Sequence, residues 1–284
     1  MLAIIGGSGI YDLPGLEAGD EQDVMTPYGA PSADLVIGKY GGGKDIVFLA
    51  RHGKSHQYLP HEVNYRANIW ALKKLGVSRI IGISAVGSLR ADLKPGDLCL
   101  ADQYFDFVKG QREKSFFGNG LAAHVSTAEP VCPILSESLT RAGQGLGIEV
   151  KGGLTYGCVD GPRLGTRAES LFLKNAANCD LVGMTNVPEA FLAREAQICY
   201  ATLSIVTDYD CWLDDPAQHV SVEQVISRYG ESLATARRLV GAFLESDGGA
   251  APDCGCRHSL DSAVLTPIEQ LGADNRALLD LLKR

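Results

Sequence analysis

The sequence predicts an α/β fold, a single domain with a mixed central β-sheet flanked by helices. Three observations predict it. Short apolar runs rich in Ile, Leu and Val recur at 2–5, 35–40, 46–50, 79–85, 98–102, 154–159, 181–184 and 200–207, and such runs read as buried strands. Amphipathic helical segments alternate with them, the pattern of a sheet covered by helices. The stretch "YGGGKD" between the second and third runs reads as a hairpin turn, which sets two neighbouring strands antiparallel and makes the sheet mixed.

Taken in order, the first run ends directly in Gly6, Gly7, Ser8 and Gly9, where the backbone can bend tightly and present N–H groups. In "NYRANIWALKKLG", Tyr65, Ile69, Leu72 and Leu75 fall on one helical face and Gly76 supplies a stop. "TRAESLFLKNAANC" opens with Thr166 and Glu169 at capping-box spacing, and "SVEQVISRYGESLATARRLVGAFL" repeats that spacing with Ser221 and Gln224. "VPEAFLAREAQ" reads as a shorter helix between two strands. "SDGGAAPDCGC" is linker-like, and the segment after it is helical near its end. The expected organisation is one domain over 1–245 and a C-terminal extension over 246–284.

With 284 residues, 45% hydrophobic and 21% charged, the chain has the composition of a soluble globular protein. No apolar run reaches the roughly 18 residues of a membrane span, and the start lacks a basic secretory n-region. A net charge of −8 argues against gripping a nucleic-acid backbone. The eight cysteines sit mostly in apolar runs without paired C-x-x-C units, which points to reduced thiols and a cytoplasmic setting with no metal. Cys254 and Cys256 read as two free thiols in a flexible tail rather than a redox pair. His52, His56 and His61 match no common metal spacing.

The opening glycines fit neither familiar nucleotide motif. After Gly7-Ser8-Gly9 the dinucleotide fingerprint lacks its third glycine, and before "GKS" Phe48 stands where a P-loop needs glycine. A phosphate site assembled from several strand ends remains, against the plainer reading of simple turns. Ser8, Arg51 beside His52, Ser84 in "SAVGS" and Thr185 in "GMT" each follow a strand and suit an anion. Asp208 and Asp210 close the run 200–207. At i and i+2 of an extended backbone they share a side, where they could read a nucleobase or simply be solvated turn aspartates.

Several stretches in order, "IIGGSGIYDLPG", "LARHG", "SAVGSL", "GPRLGTRAES", "VGMTNVPEAFLAREA" and "CYATLSIVTDYDCW", resemble the 5′-methylthioadenosine phosphorylase branch of the trimeric purine nucleoside phosphorylases. "TDYDCW" with "GPR-x-x-TRAE" is the specific part. The resemblance implies a nucleoside-phosphorylase-like fold and reversible cleavage of a purine nucleoside by inorganic phosphate, a co-substrate, with no metal or organic cofactor. It implies a phosphate site of Ser8, Arg51, His52, Ser84, Ala85 and Thr185. Met184 then contacts ribose and base, and Asp208 and Asp210 read the base. Val222, Val225 and Ile226 line a 5′-methylthio pocket, which His124 enters from a neighbouring subunit of a homotrimer or dimer of trimers. In that chemistry a carboxyl donating to purine N7, assigned to Asp210, stabilises the leaving base while Asp208 holds the 6-amino group.

The chain departs from the family pattern in three places. Gly183-Met184-Thr185-Asn186 stands for a common "NMTT", Leu164 and Gly165 stand for an aromatic and a serine, and Ser8 stands for a threonine. "GMT" and "GPRL" resemble relatives that use 6-oxopurines, whereas the acid pair suits 6-aminopurines and favours 5′-methylthioadenosine. A 6-oxopurine nucleoside phosphorylase and a non-catalytic nucleoside sensor are the alternatives.

Overall fold

Strand β1 (Leu2–Gly6) is buried at every residue and runs parallel to β5 (Lys44–Ala50) on one side and β6 (Arg79–Ser88) on the other. A strand covered on both faces requires the continuous apolar run seen here. β6 also pairs in parallel with β10 (Cys199–Asp208), so the carboxyl ends of β5, β1, β6 and β10 lie side by side. In α/β sheets that edge is where ligands gather. The computed structural model describes residues 1–7, 13–17, 19–41, 43–215, 220–246 and 253–284, without the side chains of Gln224 and Glu231.

The expected hairpin joins β4 (Leu35–Tyr40) to β5 in antiparallel register, and two-residue strands β2 (Leu16–Glu17) and β3 (Glu21–Gln22) extend that edge. On the far side the sheet does something the sequence reading does not anticipate. β7 (Leu98–Asp106) is antiparallel to β10 and parallel to β8 (Val150–Cys158), β8 is parallel to β9 (Leu181–Gly183), and β9 returns antiparallel to β6. Strands β6, β9, β8, β7 and β10 therefore close a ring. Register shifts in β7 and near Asp208 supply the bending that closure needs.

Alternation along β1 splits the core in two. Ile4, Phe48, Ile81 and Leu203 face α2 (Pro133–Gly145) and α5 (Val222–Ser246) through Leu139, Leu239 and Phe243. Ala3, Val47, Ile80 and Tyr200 face α1 (Tyr65–Lys74), α4 (Asn186–Glu195) and α6 (Ala273–Leu282) through Ile69, Leu192 and Leu279. The C-terminal extension is thus part of the second core. Leu260, Leu271 and Leu282 are buried in it, and Leu265 N–H donates to the Ala122 carbonyl at 2.9 Å. The flexible tail expected around Cys254 and Cys256 is corrected accordingly, since Cys256 is buried against the first core.

The expected caps appear where the side chains are described. Thr166 and Glu169 form a reciprocal capping box at the start of α3 (Arg167–Asn175), and Gly76 takes the positive φ that stops α1. The Ser221–Gln224 pair lies partly outside the described side chains. Helix α2 was not foreseen. It starts with Pro133 at its first turn and Cys132 at the N-cap, without a side-chain cap bond to mark it in the sequence.

Glu195, near the end of α4, holds the 115–117 loop by accepting from Ser115 Oγ at 2.8 Å and Phe116 N–H at 2.7 Å. Burial pushes its carboxyl up to about 7. Because the folded value lies above the unfolded one, this group's contribution is full below about pH 4.5 and lost as pH rises through about 7. Relative to Glu195→Gln, wild-type unfolding free energy should fall by on the order of 3 kcal/mol across that window. Thermal denaturation of both chains against pH checks this, and parallel curves would contradict it.

Candidate active site

A cavity of about 940 Å³ opens where β5, β1, β6 and β10 end, within the range of small-molecule sites. Its floor comes from strand ends and its lid from α5, which contributes Val225, Ile226, Tyr229 and Leu233.

At one end of the cavity Arg51, His52, Ser84, Ala85 and Thr185 come together from three separate stretches of chain. Ser84 Oγ is buried and has no hydrogen-bond partner among the described residues, a hydroxyl that a ligand would satisfy. Thr185 precedes α4 without spending its side chain on a cap. Ser8, expected beside them, lies outside the described residues.

Arg51 differs from expectation in how it is used. Its planar fork is turned away from the cavity to Glu189, with Nε and Nη2 each donating to the carboxylate at 2.7 Å. Nη1 donates to the Ile83 carbonyl at 2.8 Å and Nη2 also reaches the Ile5 carbonyl at 3.5 Å, which leaves one Nη1 hydrogen beyond these bonds. Burial opposes its charge, but the Glu189 carboxylate outweighs this and raises the guanidinium further. Arg51 thus offers the cavity a fixed cationic edge, not a bidentate clamp.

His52 is held in one tautomer. Its Nδ1–H donates to the Tyr58 carbonyl at 2.9 Å, and its ring stacks on His56 with centroids 5.8 Å apart. Burial first, and the Arg51 charge next, lower its pKa. The neutral ring therefore presents Nε2 as an acceptor, suited to a hydroxyl of a sugar or of a singly protonated phosphate.

At the other end stand Asp208 and Asp210, both buried and both lining the cavity. The extended i, i+2 geometry expected for them does not hold. β10 stops at Asp208, and Asp210 takes a left-handed φ of 52°. A local turn holds the pair instead: Asp208 Oδ1 accepts from Asp210 N–H at 2.7 Å and Oδ2 accepts from Thr207 Oγ1 at 2.7 Å. Burial, aided by the Asp210 charge, raises the Asp208 carboxyl, against the lowering from those hydrogen bonds and from Arg228.

Met184 lines the same cavity. Its carbonyl is fixed by Arg112, whose Nη1 donates to Met184 and Val187 and whose Nη2 donates to Asp160. Val225 and Ile226 line the α5 wall, but Val222 does not. It is 64% exposed at the first turn of α5 and is not among the cavity's lining residues. His124 is not among this chain's own cavity residues; it sits beside the bridge between Ala123 and Val264, its N–H donating to the Ala263 carbonyl.

The departures at 183 and 165 have different physical meanings. A Cβ on Gly183 would lie 2.0 Å from Tyr156 Oη and 2.5 Å from its Cζ, so the buried Tyr156 ring fills the room a side chain would need. Gly183→Ala should cost about 1–3 kcal/mol in thermal unfolding, with part recovered by adding Tyr156→Ala; a neutral single substitution would contradict this. A Cβ on Gly165 would lie 3.8 Å from Asp210 Oδ2, so the glycine leaves that approach to the carboxylate open.

Sequence reasoning missed Glu189, Arg112 and Tyr229. Glu189 sits in an apolar helical stretch where a lone carboxylate is a signal in itself, because full burial demands a cationic partner. Arg112 lies in a polar loop with nothing to distinguish it from solvated neighbours.

A closed mixed sheet whose strand ends bring an anion-compatible pole and a carboxylate pole into one cavity is the architecture of nucleoside-cleaving phosphorylases. The chain belongs to the Phosphorylase superfamily, whose sequence profile matches residues 1–245. More particularly, it is 44% identical over 283 residues to S-methyl-5′-thioadenosine phosphorylase of Geobacter sulfurreducens, covering 99% of this chain and 97% of that one. It is 45% identical to the protein of the same name from Hyperthermus butylicus, over 93% of this chain and 95% of that one. Among solved structures, methylthioadenosine phosphorylase from an Antarctic soil metagenomic library superposes with a TM-score of 0.92 at 42% identity, covering 99% of this chain and 98% of that one. Methylthioadenosine phosphorylase from Schistosoma mansoni, in complex with adenine, does so with a TM-score of 0.83 at 34% identity, over 98% and 97% of the two chains.

Proposed function

We propose that this protein is an enzyme that cleaves the N-glycosidic bond of 5′-methylthioadenosine with inorganic phosphate, giving adenine and 5-methylthioribose 1-phosphate. The observation that carries this reading is the single cavity with Ser84 and the fixed Arg51 at one pole and the buried Asp208–Asp210 pair at the other. Glycosidic cleavage builds positive charge on the sugar and negative charge on the leaving purine. Phosphate held by Ser84, Ala85, Thr185, His52, Arg51 and Ser8 stabilises the first and then attacks the anomeric carbon. A carboxyl of the acid pair protonates or hydrogen-bonds N7 and stabilises the second, with Asp210 as the donor and Asp208 accepting from the 6-amino group. Met184 packs against the nucleoside, and Val225 and Ile226 surround the methylthio group.

No step in this scheme requires a metal or organic cofactor; phosphate is the co-substrate. The cytoplasmic setting belongs to the same reading, as does a homotrimer in which His124 completes a neighbour's 5′ pocket. Among the described residues no helix is long and apolar enough to cross a membrane.

Adenine release from methylthioadenosine should rise with phosphate concentration and saturate, with negligible release in phosphate-free buffer. Release independent of phosphate would indicate hydrolysis, and tight binding without turnover would indicate a sensor. One observation favours a second reading for the base. The raised carboxyl of Asp208, when protonated, donates to a 6-oxo group as readily as its ionised form accepts from a 6-amino group. Comparing methylthioadenosine with methylthioinosine at equal phosphate separates the two.

A further inference from the structure

Far from the catalytic cavity, four cysteines from three separate stretches converge. Cys132 is the N-cap of α2, Cys199 begins β10, and Cys254 and Cys256 flank Gly255 at the start of a short 3-10 turn. Their Sγ atoms all lie within 4.8 Å of one another. Cys254 Sγ stands 3.4 Å from that of Cys199 and 3.8 Å from that of Cys132. We propose that Cys132, Cys199, Cys254 and Cys256 bind one thiophilic divalent metal ion of the zinc class in a tetrahedral all-thiolate site.

The geometry suits this ligand set. A tetrahedral centre with metal–sulfur bonds of about 2.3 Å has sulfur–sulfur edges of about 3.8 Å, so these four atoms need move only slightly to reach it. Cys254 lies near two different sulfurs at once, an arrangement that serves a shared centre better than a chosen pair. Cys132 sits at the N-terminus of a 13-residue helix and makes no cap bond, a position that favours the thiolate a metal needs. Metal binding releases four thiol protons and leaves the tetrathiolate centre with a net charge of −2. Three of the sulfurs are buried, and half-buried Cys254 offers the route in.

Such a centre would staple the C-terminal extension to α2 and β10, which explains why 253–256 lies against the core. Sequence spacing hides it, because three of the four ligands are separated by 55 positions or more and the last two by one residue.

The test uses the full-length chain purified under thiol reductant from zinc-replete growth. Elemental analysis should find about one zinc per chain, falling at least tenfold in the Cys254→Ser, Cys256→Ser double variant. Should that variant not fold, cobalt added to the chelator-stripped wild type serves instead and should give the visible absorption of a tetrahedral thiolate complex. Wild type without metal and without the cobalt spectrum, whether its intact mass shows free thiols or disulfides, overturns the proposal.

Discussion

Glu189→Ala is expected to destabilise the protein by about 3–5 kcal/mol, the cost of leaving a buried guanidinium without its counter-charge. Arg51 and Glu189 are 2% and 0% exposed, and their two parallel bonds are 2.7 Å long. Tyr200 Oη donates to the same carboxylate at 2.7 Å, so the substitution also strips a buried hydroxyl of its acceptor. Replacing both partners with apolar residues, Arg51→Met with Glu189→Leu, should restore much of the stability while phosphorolysis stays lost. That combination separates the structural role of the pair from the catalytic role of its cationic edge. Chemical denaturation and steady-state kinetics on the three variants check it. A loss below about 1 kcal/mol in Glu189→Ala would mean that the pair is solvated and that the site's charge is set elsewhere.

Asp210→Asn should lower kcat on methylthioadenosine by about 10²–10⁴-fold, the range that a positioned general acid contributes. An amide can still hydrogen-bond but cannot transfer a proton to N7. The loss should be far smaller on methylthioinosine-type substrates, whose leaving base is stabilised through its 6-oxo group. Asp208→Asn acts differently. Its Oδ1 and Oδ2 already accept from Asp210 N–H and Thr207 Oγ1, so an amide there turns one acceptor into a donor and disturbs the turn that places Asp210. Substrate-specific kinetics of both variants check these roles. An equal loss on both bases for Asp210→Asn would contradict its assignment as the N7 donor.

Much of the layered fold is legible in the sequence because its parallel strands are buried on both faces. Runs such as "LAIIG" and "CYATLSIVTD" have no polar face to offer water, and they sit at the centre of the sheet where such runs must. The closing of β6, β9, β8, β7 and β10 into a ring is not legible, because it depends on register shifts at single residues and not on composition. The site divides the same way. Arg51, Thr185 and Asp210 could be placed because each follows a strand whose end is readable, and Asp208 because it closes one; Ser84, expected just past a strand, lies inside β6, which runs on to Ser88. The direction of the Arg51 fork could not, since it is decided by Glu189 on a helix 138 positions away. Val222 is assigned to the 5′ pocket through the family resemblance, and its exposure at the start of α5 is set by tertiary structure that local spacing does not carry. The four-cysteine cluster shows the limit most plainly: local spacing carries no trace of a meeting arranged entirely by tertiary structure.

The central claim is that one cavity holds phosphate beneath a sugar whose base is gripped by two acids. Phosphorus NMR of the enzyme turning over methylthioadenosine in phosphate tests it most directly. A sugar 1-phosphate resonance growing in step with released adenine is the expected result. Free methylthioribose appearing in its place, with the phosphate signal unchanged, would contradict it.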